Sequence, residues 1–247
     1  VARLKLRRSS EKNVPDICGG IHLSLYKDIK KHPFTSILIG EGEDVWHIML
    51  DDCKKSVLKL LYMNNKHSTL VEINSEKLAG ISIIKKFFLF HTGNKGLPSN
   101  CNFSSVREFN GRDTRHREIE SIVNEIQYIQ KTKIEIFFTN DNIIGKKQYT
   151  EELFSALAQQ DIYWRSQSSI NISFEKALLE LAARSGCEYL SLGFESTQEE
   201  SLKLFNKQLN LSRKDQYKGI FSNIRSYGIG IMGSFILCND SDTKDSF

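Results

Sequence analysis

Ile134-Glu-Ile-Phe-Phe-Thr-Asn-Asp-Asn142 is a short apolar run that stops abruptly on three polar residues. An apolar run of this length, rich in Ile and Phe and bounded by turn formers, reads as a strand buried on both faces. The same pattern recurs on either side. Lys86-Phe-Phe-Leu-Phe-His91, Tyr163 to Ile170, Tyr189-Leu-Ser-Leu-Gly-Phe194 and Ile229 to Leu237 are four more strand candidates. Between them lie segments of helical period. Ile119, Ile122, Val123, Ile126 and Ile129 form one stripe within 117–130. Tyr149, Leu153, Ala156 and Leu157 form another within 147–159. A third helix carries Phe174, Ala177, Leu178, Leu181 and Ala182, with Ser173 as its cap and Gly186 at its C′ position. Thr197 with Glu200 reads as a capping box. Ser212 is placed to open a helix bearing Tyr217, Ile220, Phe221 and Ile224, ended by Gly228.

Strands that alternate with amphipathic helices predict a parallel sheet covered by helices, here five βα units of a partial barrel over 86–247. In such folds the chemistry sits on loops at the C-terminal strand ends. The first 85 residues differ. Ile17 to His22 and Ser36 to Glu43 read as two glycine-bearing strand ends, and Asp44 to Leu61 as a helix. Residues 1–61 are therefore set apart from the barrel and 62–85 are read as a linker.

Composition sets the outer limits. The chain has 247 residues, 40% hydrophobic and 26% charged, which excludes a disordered tail and a collagen-like fibre. The net charge of +4 is held by the first twelve residues, where five cations face only Glu11. The neutral remainder lacks the basic footprint of a nucleic-acid binder. Five cysteines make an odd, sparse set, not a disulfide framework, and a reducing cytoplasmic setting is the expectation. No apolar run reaches the length of a membrane span.

The loop after the first strand reads Thr92-Gly-Asn-Lys-Gly-Leu-Pro-Ser-Asn-Cys-Asn-Phe-Ser-Ser-Val106. There the chain resembles the radical S-adenosylmethionine (SAM) superfamily, and within it the group whose SAM barrel follows a cobalamin-binding domain. That group carries Gly-Cys-Pro-x-x-Cys-x-Phe-Cys-Ser-Val at this place, and its three cysteines bind a 4Fe–4S cluster. The likeness implies that Cys101 is a cluster ligand. It also implies that Asn140 and Asp141 contact the methionyl amino group of SAM, and that Gln167 or Ser168 points into the pocket. Glu195, in Gly193-Phe-Glu-Ser196, would take the ribose hydroxyls, and Gly230 to Ile236 would pack on the adenine. The resemblance also implies that residues 1–61 are the C-terminal remnant of a Rossmann-like cobalamin-binding domain, in which Gly19, Gly20 and Gly40 would let the backbone approach the nucleotide tail of cobalamin. A radical modification of an unreactive carbon, often methylation, and a reductant protein would follow from the same resemblance.

The chain departs from the motif at two of the three cysteines, where Leu97 and Ser104 stand. A leucine has no donor atom and a neutral serine hydroxyl is a poor substitute for a soft thiolate. The expectation is that no normal cluster assembles and that the chain is inactive as written. The alternatives are a catalytically silent binding copy, a decayed fragment, or an unrelated barrel enzyme using a carboxylate pair from Asp141 and Glu195. The cobalt-ligating Asp-x-His-x-x-Gly motif is missing from the sequence. The chain does not start with Met and ends just after the fifth strand, so the piece is read as cut at both ends. That would leave the fifth strand as an apolar edge. Arg112, Arg115 and Arg117 are read as a solvated loop, and the substrate, a small molecule, is left unidentified.

Overall fold

The computed structural model describes residues 14–25, 33–66, 87–90, 101–111, 114–130 and 135–242. The described residues fall into two compact units: those up to 66 together with 105–111, and the remainder.

The first unit is a small parallel α/β assembly. Strands β1 (Ile17–Cys18), β2 (Ser36–Ile39) and β3 (Leu61–Met63) lie side by side in that order, all parallel. Helix α1 (Ile21–Leu25) follows β1, and α2 (Trp46–Lys54) joins β2 to β3. Leu38, Met49 and Tyr62 form its core, with Ile17, Val45 and Leu58 packed around them. The helix assigned to 44–61 is thus shorter, and residues assigned to the start of a linker are a third strand. The reason lies in Tyr62. Its hydroxyl donates to Asp52 Oδ2 at 2.6 Å and accepts from Lys59 N at 3.1 Å, which folds the chain back after α2. Helix α3 (Val106–Asn110), which follows the cysteine-bearing loop, belongs to this unit and packs beside α1.

The second unit is a five-stranded parallel sheet in sequence order: β4 (Phe87–Phe90), β5 (Glu135–Phe138), β6 (Trp164–Ser168), β7 (Cys187–Glu195) and β8 (Gly230–Phe235). Helices α4 (Ile119–Gln130), α5 (Lys147–Leu157), α6 (Lys176–Arg184) and α9 (Tyr217–Ser226) return the chain between strands. Two short helices, α7 (Glu199–Leu204) and α8 (Gln208–Arg213), stand between β7 and α9. The five strands, and the helices that follow the first four of them, are those the sequence predicts for this part of the chain.

Trp164 anchors the core. It is fully buried, with Phe138 and Phe154 rings 5.5 Å and 5.1 Å away. Its Nε1 donates to Ser185 O at 2.9 Å, so the buried indole leaves no donor unsatisfied. Ser185 is the cap residue of α6, and the C′ glycine follows. Gly186 has φ +86°, and a Cβ there would sit 1.9 Å from Ile162 O, so only glycine lets α6 turn into β7 here.

The expected helix starts are not where the sequence placed them. Ser173 caps nothing. It lies in a 3-10 turn (Ile170–Phe174) whose first residues are held by Ser169 Oγ, and α6 begins later with no side-chain cap. Thr197 forms no capping box either, since α7 starts at Glu199 and Ser196 Oγ accepts from Gln198 N instead. Ser212 is inside α8, not at the start of α9. Ser169 Oγ and Ser196 Oγ bond Asn171 N and Gln198 N in the turns ahead of α6 and α7, and a 3-10 turn (Lys214–Gln216) leads into α9.

Arg117 is likewise not solvated. It is 3% exposed and ion-paired through Nη2 to Glu125 Oε2 at 2.6 Å, with Ser121 Oγ accepting a second bond at 2.8 Å. Burial pushes the Glu125 carboxyl up against the opposing pull of Arg117. Beside the pair, Tyr149 of α5 donates its hydroxyl to Arg117 O at 2.8 Å and so ties α5 to the start of α4. Burial, partly offset by the Arg117 charge, pushes the Tyr149 phenol up to about 12. The folded chain therefore holds this proton more tightly than the unfolded chain, whose phenol titrates near 10. The stability it contributes is whole below pH 10 and is lost as pH rises towards 12. We expect the difference between wild type and Tyr149→Phe to shrink by about 2 kcal/mol over that interval in urea unfolding followed from pH 8 to 11.5.

β8 lies at the end of the sheet, and Met232 and Phe235 on it are each close to half exposed.

Candidate functional site

A cavity of about 560 Å³ opens at the C-terminal ends of β5 to β8. Its main wall is β7, whose side chains alternate as a strand requires. Leu190, Leu192 and Phe194 are fully buried in the core, while Ser191, Gly193 and Glu195 line the cavity. Two of those three positions carry little or no side chain, which is where the volume comes from. Ser234 of β8 and Gln167 and Ser168 of β6 continue the lining.

The loop after β5 brings in Asp141 and Asn142. It is stitched to the end of β6, because Asn142 Oδ1 accepts from Ser169 N at 2.9 Å and Ile143 N donates to Gln167 O at 3.0 Å. Asn140 is buried at the base of the same loop and is not part of the lining. Cys101 approaches from the other side. Its loop is fixed by Asn102, whose N and Nδ2 donate to Phe205 O at 3.2 Å and Leu204 O at 2.8 Å, the last carbonyls of α7. Phe103 packs edge-on against Phe205 at 5.3 Å.

The segment 206–210 closes the cavity and supplies its one lining lysine. Lys207 Nζ meets Glu195 Oε1 at 2.7 Å and lies 5.4 Å from the Phe103 ring centre. A Cβ at Gly193 would lie 2.4 Å from Glu195 Oε1, so a side chain there would displace the carboxylate end from its present place. The structure therefore gathers Cys101, Asp141, Gln167, Ser168 and Glu195 around one space. Sequence reasoning missed Lys207, Asn210 and Ser191. The alternation Leu-Ser-Leu-Gly-Phe-Glu carried a signal for Ser191, and nothing in the 206–210 segment marked the other two.

Gly19, Gly20 and Gly40 lie in the first unit. Gly40 has φ +87°, and its missing side chain makes room for Asn64 O, 2.1 Å from where a Cβ would be. Gly19 is crowded by Leu38, and of the three only Gly20 faces open space. Gly40 and Gly19 are thus called for by the unit's own packing, and Gly20 is the one of the three that borders open space.

The donor set for an iron–sulfur cluster is likewise incomplete. Among the described residues no group of three or more His, Cys, Asp or Glu is placed to hold a metal ion. Cys101 is the one cysteine lining the cavity. Ser104 occupies one remaining motif position, and the other, Leu97, lies outside the described residues. Cys187 is buried in the core, where burial pushes its thiol up and keeps it protonated. A three-thiolate site does not fit these residues.

Residues 95–247 match the family model of the Radical SAM superfamily. Over 243 residues the chain is 31% identical to bacteriochlorophyllide d C-12(1)-methyltransferase of Chlorobaculum tepidum, covering 94% of this chain and 52% of that protein. Bacteriochlorophyllide d C-8(2)-methyltransferase of the same organism is 24% identical over 246 residues, covering 92% of this chain and 54% of that protein. The chain thus spans about half the length of these curated relatives. Among solved structures, the cobalamin-dependent S-adenosylmethionine radical enzyme OxsB with aqua-cobalamin bound superposes with a TM-score of 0.73 at 16% identity, over 98% of this chain and 40% of that one. The radical S-adenosylmethionine methyltransferase TsrM from Kitasatospora setae, with cobalamin and a 4Fe–4S cluster bound, gives 0.72 at 12% identity, over 99% and 55%. At these identities the two structures speak for the fold, an α/β partial barrel.

The ion pair at the cavity wall is open to a direct measurement. Lys207→Met leaves the largely buried Glu195 carboxylate without its cation, at an expected cost of about 2 kcal/mol. Adding Glu195→Gln to the same chain should recover most of that loss in a double-mutant cycle followed by urea unfolding.

Proposed function

The chain belongs to the radical SAM superfamily, and from that premise we propose that its second unit binds SAM or a related adenosyl ligand without assembling the three-thiolate cluster, so that the chain as written does not cleave SAM. The observation that carries this reading is the convergence of Asp141, Gln167, Ser168 and Glu195 with Cys101 on one cavity, while leucine and serine stand at the other two cluster positions.

The polar groups suit an adenosyl ligand. Glu195 offers a carboxylate to the ribose hydroxyls, Asp141 offers one to the methionyl ammonium, and Gly230 to Phe235 supplies backbone beside the base. A cavity of about 560 Å³ is within the range of small-molecule sites. The relatives named above as methyltransferases support methylation of a carbon as the chemistry from which this site descends. Where a cluster is present, it supplies the electron that cleaves SAM. The reductant protein such chemistry needs, and the small-molecule substrate, belong to that fuller form. By likeness to OxsB and TsrM, both with cobalamin bound, cobalamin belongs to that fuller form as well. The reading is therefore a binding copy of a radical SAM methyltransferase.

Anaerobic reconstitution with iron and sulfide tests it, together with a binding titration of S-adenosylhomocysteine. We expect binding by the wild-type chain, substoichiometric iron, and no 5′-deoxyadenosine from SAM under reductant. Leu97→Cys with Ser104→Cys should restore iron uptake. A full four-iron cluster on the wild-type chain overturns the proposal.

A further inference from the structure

β7 does not end as a regular strand. Its pairing with β8 runs Gly193 to Ser234 and then jumps to Glu195 with Phe235, so Phe194 is an extra residue in the ladder. This is a β-bulge, a device that re-aims a side chain. Glu195 takes φ +66°, a left-handed conformation that is strained for a non-glycine residue. Such a conformation persists only where its surroundings over-determine it.

Two side chains do so. Asn210, 4% exposed, donates through Nδ2 to Gly193 O at 2.8 Å and Phe194 O at 3.1 Å. Tyr217, 8% exposed, donates its hydroxyl to Phe194 O at 3.0 Å, with Ser196 O at 3.5 Å as a second acceptor. The two are joined by Asn210 Nδ2 to Tyr217 Oη at 3.3 Å. The Tyr217 ring packs edge-on to Phe194 at 4.8 Å, and Phe221 stacks on Phe194 at 4.7 Å. All of the carbonyls so held flank Glu195. Burial pushes the Tyr217 phenol up and the Glu195 charge adds to it, so the hydroxyl stays a donor.

We propose that Asn210 and Tyr217 are positioning residues. They hold the left-handed turn at Glu195 and so set its carboxylate on the cavity wall for the vicinal diol of an adenosyl ribose. The proposal rests on the adenosyl-ligand reading above. Tyr217 is not among the cavity-lining residues, so its effect on a ligand must pass through the turn.

The test uses the full chain and two variants, Tyr217→Phe and Asn210→Leu. Tyr217→Phe keeps the ring and its packing. Calorimetric titration compares S-adenosylhomocysteine with its 2′-deoxy analogue. Wild type should prefer the ribonucleoside by about tenfold or more, as a hydrogen bond to a charged group implies. In both variants that preference should fall to about twofold or less, and in Tyr217→Phe, whose residue lies outside the cavity lining, affinity for the 2′-deoxy analogue should be nearly unchanged. A purely structural role would lower the melting temperature and leave the preference intact, and that result overturns the proposal. Crystal structures supply a ligand-free readout: the Glu195 carboxylate should leave Lys207 Nζ, which it now meets at 2.7 Å. If wild type binds neither compound, the adenosyl-ligand reading falls. The clamp is then decided by the crystal structures alone, where an unmoved Glu195 in both variants overturns it.

Discussion

A parallel strand cannot be reached by a tight turn. Each one must be followed by a crossover that returns the chain to the starting edge, so every strand finishes at the same side of the sheet. In this protein β4 to β8 obey that constraint in strict sequence order. The polar residues that stop each apolar run are therefore delivered to one place. Asn140 to Asn142, Gln167 to Ser169, and Glu195 with Ser196 are separated by tens of residues along the chain. They meet because the helices between them have no other way to bury their apolar faces.

That constraint explains which parts of the molecule were legible from the residues. The apolar residues of the strand runs, Ile136 and Phe138 in β5 for example, are required by burial in the core. The glycines at 186 and 228 are required by positive φ after a helix, +86° and +78°. These are demands that few other residues meet, so the sequence carries them openly. Helix starts are different. Ser169, Ser173, Ser196, Thr197 and Ser212 all have the chemistry of a cap, and the choice among them is settled by tertiary geometry. β3 was hidden for a related reason. A three-residue strand has too little period to register, and its place is fixed by a single buried tyrosine bonded to Asp52.

The cavity was half visible. Glu195, Gln167, Ser168 and Asp141 stand at strand ends, where the topology predicts function. Lys207 and Asn210 stand on the return path from β7, in a segment whose short helices have no marked apolar stripe. Their roles come from what they reach across the fold, a carboxylate in one case and two backbone carbonyls in the other. The cysteine count, by contrast, is plain in the sequence. One thiol faces the cavity where the motif calls for three, and the remaining polar wall is intact. Cys101 and the polar wall of the cavity thus stand on separate elements of one scaffold.

Asn102 has a consequence for how this scaffold comes together. It terminates α7 by bonding to the carbonyls of Leu204 and Phe205, and the Leu204 contact spans 102 positions of sequence. Closing a loop of that size carries a large entropic cost, recovered only once the intervening strands are already paired. The Cys101 side of the cavity is therefore expected to dock late, onto a sheet that exists without it. In folding terms the ligand-facing wall from β6 to β8 is the template, and the cysteine loop is its final addition. A lineage can then rewrite that loop, residue by residue, without placing the folding of the sheet at risk.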